Sequence, residues 1–192
     1  MDIVFVTNNK NKLSEIKNLV SSDYNILSLK DIKFNEEIEE TKNTLEDNAL
    51  LKARYIHSRY GYNCFADDTG LEIDYLKGAP GVFSARYAGP KCLAKDNIDK
   101  VLLELKDVKN RQAKFRTVIA LILDNNEYTF EGECMGDISL KEKGKNGFGY
   151  DPIFIPKNLN LSFAQMSHAA KNKISHRAKA IKKLVYFLSI TK

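Results

Sequence analysis

Strand-like and helix-like segments alternate along this chain, and that alternation constrains the fold more than any other feature of the sequence. In the first unit, Ile3–Val6 is a run of β-branched and aromatic residues, and Thr7–Asn9 is typical of a turn or a helix cap. Helices that alternate with strands, some of them paired as hairpins, predict an α/β fold with a mixed β-sheet. The apolar residues that indicate the first helix by their spacing are Leu13, Ile16, Leu19 and Val20.

The middle of the chain is predicted as a helix, two strands and a loop. The helix runs from Thr44 to Arg59. Asn63–Ala66 is predicted to be a strand that ends at a polar turn, Asp67–Gly70, and Leu71–Leu76 alternates apolar and polar residues like a second strand. Residues 77–92 contain three Gly and two Pro, so we expect an ordered loop without regular structure.

The spacing of apolar residues and the turn residues also predict the elements outside that region. The stripe of apolar residues in the last quarter indicates one long amphipathic helix. The other predictions are a strand near Tyr24–Leu29, a helix through Ile98–Leu105, strands Phe115–Leu123 and Glu127–Leu140 joined by the turn Asp124–Asn126, a strand Ile153–Ile155, and Ser167 as the cap of the final helix.

Length and composition exclude several classes of protein. The 192 residues, of which 43% are hydrophobic and 29% charged, match an ordinary globular chain, and we expect one domain over residues 1–192. The longest apolar runs, such as Val118–Leu123, are far shorter than the roughly 20 residues of a membrane span, and we expect neither a membrane anchor nor a signal peptide. Three separated cysteines indicate no disulfide framework or zinc site and favour the reducing cytoplasm.

The net charge of +5 conceals an uneven distribution along the chain. Residues 141–192 hold 11 Lys and Arg against 2 Asp and Glu, a net of +9, whereas residues 1–140 hold 19 against 23, a net of −4. Such a split indicates an anionic partner for the basic quarter.

The first turn is a candidate phosphate site, because a helix N-terminus offers free N–H groups and a partial positive charge. It lacks the spacing of a P-loop or of a dinucleotide-binding fold. The alternative is a capped helix with solvated lysines. The candidate residues are Thr7, Asn8, Asn9, Lys10, Asn11 and Lys12.

Two groups of acids are candidate ligands for a hard ion such as Mg²⁺, which binds carboxylates, water and substrate phosphates. The alternative is a solvated acidic loop and a pair of turn-capping aspartates. The two groups are Glu36, Glu37, Glu39 and Glu40 in the loop, and Asp67 and Asp68 at the predicted turn.

A glycine-rich loop and the last helix hold the remaining candidates. In Gly147–Asp151 the glycines permit close backbone approach, a ring can stack on a base, and Asp151 can accept hydrogen bonds; the alternative is an aromatic plug buried in the fold. On the helix, Lys171, His176 and Arg177 crowd into two turns but point to different sides. Either they line a cleft, or they form a solvated basic face with one incidental His.

Assembled, these segments resemble the inosine triphosphate pyrophosphatase family, whose members are also called non-standard purine nucleoside triphosphate pyrophosphatases. The resemblance extends from Val6–Leu13 to the last helix. Its most specific blocks are Ala66–Leu71, Gly78–Tyr87, Gly147–Phe154 and Ile174–Arg177.

The resemblance implies an activity and an architecture. Family members hydrolyse ITP, dITP and XTP to the nucleoside monophosphate and pyrophosphate with Mg²⁺. The implied fold is an elongated mixed sheet with flanking helices that form two lobes around a deep nucleotide cleft. A cytoplasmic homodimer is expected, with a purine nucleoside triphosphate as substrate and no stable nucleic-acid complex.

The resemblance also implies a role for each candidate residue. Asp68 would be the general base and a metal ligand. Glu39 would be the second metal ligand, with Glu40 as the alternative. The residues implied to bind the substrate are Thr7, Asn8, Asn9, Lys10, Asn11, Lys12, Thr69, Phe148, Gly149, Tyr150, Asp151, Lys171, His176 and Arg177.

The sequence departs from the family pattern at two places. Asn8 and Asn11 replace glycines of the usual first turn, although Asn tolerates the left-handed region better than most residues. Lys42 stands where the family commonly has Gly. Two other functions remain open: a related pyrophosphatase for modified pyrimidine nucleotides, and a nucleic-acid-binding module that uses the basic last helix.

Overall fold

The computed structural model describes residues 1–17 and 24–191, so Leu19 and Val20 of the predicted first helix lie outside the described residues. The strands are β1 Asp2–Phe5, β2 Asn25–Ser28, β3 Cys64–Ile73, β4 Gln112–Leu123, β5 Asn126–Ile138 and β6 Phe154–Pro156. The helices are α1 Lys10–Lys17, α2 Leu45–Tyr60, α3 Ala94–Glu104, α4 His168–Ile174 and α5 His176–Ile190, with short 3₁₀ helices at Asp74–Leu76, Gly81–Arg86 and Phe163–Gln165.

The strands form one six-stranded sheet in the order β2-β1-β3-β4-β5-β6. β1 pairs in parallel with β2 and β3, whereas β5 pairs antiparallel with β6. β4 and β5 are joined by Asp124 and Asn125, whose φ angles of 49° and 67° are those of a tight hairpin turn. The predicted α/β fold with a mixed sheet is therefore confirmed, and the predicted cleft between two lobes stays a prediction.

The predicted turn at Asp67–Gly70 is wrong. Cys64–Ile73 is a single strand, and both aspartates lie inside it and are buried. Polar residues indicate a turn when water is their only partner. Here they have partners within the protein, so the strand continues through them.

The predicted single final helix is also wrong. Ser167 caps α4, as predicted, by accepting a hydrogen bond from the N–H of Ala170. Ser175 then adopts an extended conformation, with φ −66° and ψ 153°, and α5 begins at His176. The apolar stripe continues across the break, which is why spacing alone did not reveal it. In the predicted loop at residues 77–92, Gly81–Arg86 forms a 3₁₀ helix.

The described residues divide into two compact units. Unit 1 comprises residues 1–68, 117–132 and 177–192, and unit 2 comprises residues 69–116 and 133–176. Residues 18–23 and 192 fall in unit 1 by number but outside the described part. The expectation of one domain stays a prediction.

In unit 1, alternate residues of the strands face two different apolar clusters. Phe5 and Phe65 stack with ring centroids 4.7 Å apart, in a cluster that includes apolar residues of α1 and α5. Val4 and Ala66, one residue away in each strand, lie in the other cluster, with Ala49, Ala53 and Ile56 of α2. Because successive side chains of a strand point to opposite faces, β3 presents one face to α1 and α5 and the other to α2.

Unit 2 has its own apolar core. Phe115 of β4 packs against Phe154 and Phe163, with ring centroids 4.7 and 6.0 Å away. Ile98 and Val101 of α3 complete the same cluster. In the part of the chain that the structure describes, no helix is long and apolar enough to cross a membrane.

The cysteines give a direct test of this fold. Cys64 and Cys134 are buried and Cys92 is exposed. Burial raises the pKa of the Cys64 thiol to about 12, so at pH 8 only about one part in ten thousand is the reactive thiolate. We expect 5,5′-dithiobis(2-nitrobenzoate) to label one thiol rapidly in the native protein and three after unfolding.

The control is Cys92→Ser, which should abolish the rapid labelling and leave the slow phase unchanged. Rapid labelling of a second thiol in the folded protein would contradict the burial of Cys64 and Cys134.

Candidate functional site

The predicted phosphate turn is the capped start of α1. The Asn9 side-chain oxygen accepts hydrogen bonds from the N–H groups of Asn11 and Lys12, at 2.9 and 3.2 Å. Thr7 Oγ1 accepts from the N–H of Asn9 at 3.2 Å. The first turn of α1 contains no acidic residue and two lysines, although a helix N-terminus disfavours cations. An anion bound there would offset that cost.

A buried ion cluster lies beside this turn in unit 1. Lys12 Nζ lies 3.0 Å from Asp67 Oδ2, and Arg177 Nε lies 3.3 Å from the same oxygen. Another guanidinium nitrogen of Arg177 pairs with Glu15 of α1. α1, β3 and α5 therefore meet at the carboxylate of Asp67.

The ionisation of the cluster follows from these contacts. Burial would raise the pKa of Asp67, but Lys12 and Arg177 outweigh it and hold that pKa well below its usual range. Burial would lower the pKa of Arg177, yet Asp67 and Glu15 raise it. Burial lowers the pKa of Lys12, and Asp67 opposes that effect only in part because Lys52 and Arg177 repel its charge. Asp67 is thus a permanent anion.

Asp68 points away from Asp67, toward α2. Asn48 Nδ2 donates to Asp68 Oδ2 at 3.2 Å. Lys52, one helical turn later, donates to the carbonyl oxygen of Asp67 at 2.8 Å and pairs with Glu40. Burial would lower the pKa of Lys52, but the carboxylates, Asp68 first, raise it.

The structure distinguishes the two glutamates considered as metal ligands. Glu39 is solvent-exposed, whereas Glu40 is half-buried and bound to Lys52. Among the described residues, no three His, Cys, Asp or Glu side chains form a ready-made metal site. Mg²⁺ does not need such a group, because it binds through one or two carboxylates, of which Asp68 would be one, and takes its other ligands from water and phosphate.

The predicted base-binding loop lies in unit 2. Asp151 Oδ2 accepts hydrogen bonds from Lys171 Nζ at 2.7 Å and from the N–H of Phe148 at 2.9 Å. The Lys171 ammonium also lies 4.9 Å from the centre of the Phe148 ring. Gly147 has φ +77°, and a Cβ there would lie 2.1 Å from Asp151 Oδ2, so only glycine fits.

Two further candidate residues, Tyr150 and Thr69, also lie in unit 2. Tyr150 is buried, and its hydroxyl donates to the carbonyl oxygen of Ser84 at 2.8 Å. Burial raises the pKa of that hydroxyl, which stays protonated. Thr69 is half-buried in β3 directly after Asp68.

The alternative of a solvated basic face is wrong for three residues of the last quarter. Lys171, His176 and Arg177 are each no more than 4% exposed. The His176 ring stacks on Phe115 in unit 2, with centroids 4.5 Å apart and an interplanar angle of 16°. The break at Ser175 separates His176 from the helix that carries Lys171.

The sequence analysis did not identify three polar residues that contact the cluster or Asp68: Glu15, Asn48 and Lys52. A signal existed for Lys52, which falls on the apolar stripe of the predicted α2 helix together with Ala49 and Ile56. A charged residue on a buried face needs a partner. Glu15 and Asn48 carried no comparable signal.

Comparisons with known proteins found similarity along nearly the whole chain. The model of the Ham1 family matches residues 3–187. The dITP/XTP pyrophosphatase of Flavobacterium johnsoniae is 50% identical over 192 residues, and the match covers 100% of both chains. That of Porphyromonas gingivalis is 50% identical over 191 residues, or 99% of this chain and 98% of the relative. The Staphylococcus aureus Ham1 protein is a structural neighbour with a TM-score of 0.92 and 38% identity, covering 100% of both chains.

Removing the charge of Asp67 tests the ion cluster. Asp67→Asn leaves Lys12 and Arg177 buried without their shared anion, and breaking a buried pair costs about 3–5 kcal/mol. We expect that loss in the free energy of unfolding, measured by urea titration.

The matched control is Glu127→Gln, which breaks the exposed ion pair with Arg54. Exposed pairs contribute about 1 kcal/mol or less. Equal losses in the two variants would show that the Asp67 cluster is no stronger than a surface pair.

Proposed function

The chain belongs to the Ham1 family, and we propose that it hydrolyses non-standard purine nucleoside triphosphates, ITP, dITP and XTP, to the nucleoside monophosphate and pyrophosphate. The observation that carries the proposal is the pair of adjacent buried carboxylates on β3. Asp67 holds cations on one face of the strand, and Asp68 lies on the other. The full-length relatives named dITP/XTP pyrophosphatase support the substrate class.

The triphosphate would bind at the start of α1 and at the buried cations. Phosphoryl transfer depends mainly on positioning and on neutralising charge. Lys12, Lys52 and Arg177 are fixed by carboxylates before a substrate arrives. Lys10 is exposed on the first turn of α1 and adds charge there.

Asp68 would take the proton of the attacking water. Mg²⁺, held by Asp68 and Glu39 with substrate phosphate and water, would neutralise the developing charge on the phosphates. Glu39 is preferred to Glu40 as the second ligand because Glu40 is already paired with Lys52.

By the family resemblance, we expect the purine to be bound by the Gly147–Asp151 loop, Lys171 and His176. The Phe148 ring offers a stacking surface, and Lys171 and His176 offer donors for a 6-oxo group. A site built to donate to a 6-oxo group leaves its donors unpaired against the amino group of adenine, and this would supply the selectivity. Modified pyrimidines are a second substrate class for the same panel of assays.

Two further expectations accompany the proposal. Three cysteines that form no disulfide framework fit a cytoplasmic location, and a homodimer is expected from the family resemblance. Lys171, His176 and Arg177 are buried, so the alternative function of nucleic-acid binding would depend on the exposed lysines of the last helix, such as Lys182 and Lys183.

Replacing the general base gives the main test. Asp68→Asn keeps the size of the side chain but cannot accept a proton. We expect pyrophosphate release from XTP and dITP to fall by about 10²–10⁴-fold, the usual contribution of a general base, while the fold is retained. The assay measures pyrophosphate across a panel of nucleoside triphosphates, with and without Mg²⁺.

The matched control is Asp74→Asn, which removes an exposed carboxylate shortly after β3 and should leave turnover unchanged. Near-native turnover by Asp68→Asn would remove Asp68 from its role. Preferential turnover of modified pyrimidine nucleotides would replace the proposed substrate class.

A second prediction concerns the loop of unit 2. In Gly147→Ala the new methyl group would collide with the Asp151 carboxylate that holds Lys171 and the N–H of Phe148. We expect KM to rise about 10-fold or more, because the substrate-binding loop is displaced, with a smaller change in kcat.

Gly149→Ala is the matched control for backbone strain. Gly149 also has a positive φ, +60°, but a Cβ there meets nothing within 4 Å. We expect a clearly smaller rise in KM. Equal effects of the two substitutions would show that strain, and not the contact with Asp151, governs binding.

A further inference from the structure

The strongest unused feature of unit 1 is a buried amide. Asn48 of α2 is 0% exposed. Asn is a weak helix former, and an apolar residue would suit a buried helical position better. Its retention inside the helix therefore needs an explanation from its contacts.

Asn48 uses its side-chain amide on two different partners. Its Oδ1 accepts from the N–H of Lys42 at 2.9 Å, and its Nδ2 donates to the carbonyl oxygen of Lys42 at 3.3 Å. The same Nδ2 donates to Asp68 Oδ2 at 3.2 Å. Three of the four hydrogen bonds open to an amide are thus formed, and both N–H groups are used.

These contacts also fix the orientation of the amide. If its nitrogen and oxygen were exchanged, the N–H groups would face the N–H of Lys42 and the oxygen would face the Asp68 carboxylate. Both contacts would be repulsive. The two bonds to the backbone of Lys42, here called the brace, therefore determine that Asn48 presents an N–H group, and not its oxygen, to Asp68.

A second buried asparagine, Asn97, makes the same kind of backbone contacts as Asn48 but, among the described residues, bonds to no carboxylate. Asn97 is the fourth residue of α3, as Asn48 is of α2, and it is also buried. Its Oδ1 accepts from the N–H of Ala88 at 2.7 Å, and its Nδ2 donates to the carbonyl oxygen of Ala85 at 2.9 Å. Both asparagines hold the backbone of the segment before their helix, but the contact with a carboxylate distinguishes Asn48.

We propose that Asn48 is a positioning residue for the hydrolysis, and this rests on the proposed function. It holds Asp68 by Oδ2, which fixes the rotation of the carboxylate and so the direction of Oδ1. It also ties Asp68 to the backbone of Lys42, two residues after Glu40. Because those bonds use only the backbone of Lys42, the side chain at that position is free to vary.

Steady-state kinetics test the proposal with dITP or XTP. Asn48→Ala should lower kcat by about 100-fold, the effect of misplacing a reacting group by about 1 Å, with KM within about threefold of the wild type. Asn97→Ala should lose similar stability in urea but keep kcat within about threefold of the wild type. Equal kcat values in the two variants would overturn the proposal.

A second variant removes the donor to Asp68 and keeps the acceptor for the N–H of Lys42. Asn48→Asp keeps an oxygen for the N–H of Lys42 but replaces the Nδ2 donor, which serves both the carbonyl oxygen of Lys42 and Asp68, by a carboxylate oxygen. We expect kcat to fall at least as far as in Asn48→Ala, and not to recover toward the wild type, because a carboxylate at this position repels Asp68 and cannot orient it. Recovery would overturn the proposal, even if Asn48→Ala does not fold.

A spectroscopic measurement makes the two failures distinguishable. In ¹⁵N spectra of the side-chain amides, Asp68→Asn should shift the signal of Asn48 and leave that of Asn97 unchanged. An unshifted Asn48 signal would overturn the contact itself. Absence of turnover by the wild type, together with a shifted signal, would overturn the proposed function and not the placement of Asp68.

Discussion

The buried carboxylate of Asp67 is the interaction on which the rest of unit 1 depends. Lys12 of α1 and Arg177 of α5 bind its side chain, and Lys52 of α2 binds its carbonyl oxygen. Three helices are thus tied to one residue of β3. Burying so many charges is a poor route to stability, since well-packed apolar residues often do as well or better. Under the proposed function, the cluster would hold cations in place for the substrate phosphates.

The same arrangement recurs on a smaller scale in unit 2. Asp151 holds Lys171 and the backbone of Phe148, and the missing side chain of Gly147 makes room for it. In both units a buried aspartate fixes the cations that the sequence assigned to the substrate. Side chains held before binding lose little further freedom when the ligand arrives, so more of their interaction with it appears as affinity or rate.

Sequence patterns predicted the element order well because most elements follow local rules. The helix predicted over Thr44–Arg59 is α2, with Thr44 as its cap, and the tight turn between β4 and β5 forms where polar residues separate two apolar runs. The failure at Asp67 has a cause that lies far away in the chain. Asp67 remains in a strand because its partners come from α1 and α5, which no local rule includes. This failure also hid the geometry of the site: two adjacent residues point to opposite faces only if they lie in a strand, as Asp67 and Asp68 do.

The uneven charge of the sequence can now be separated into two populations. Arg177 and Lys171 belong to the basic last quarter, but both are buried against acids, Arg177 against Asp67 and Glu15 from the acidic portion. Lys182 and Lys183, on the same last helix as Arg177, are exposed. A net charge counted along a segment does not distinguish these cases, because it sums cations that face water with cations already paired inside the fold. Buried, pre-paired cations suit a small anionic ligand that enters the protein, whereas exposed cations such as Lys182 and Lys183 are of the kind that binds a polyanion.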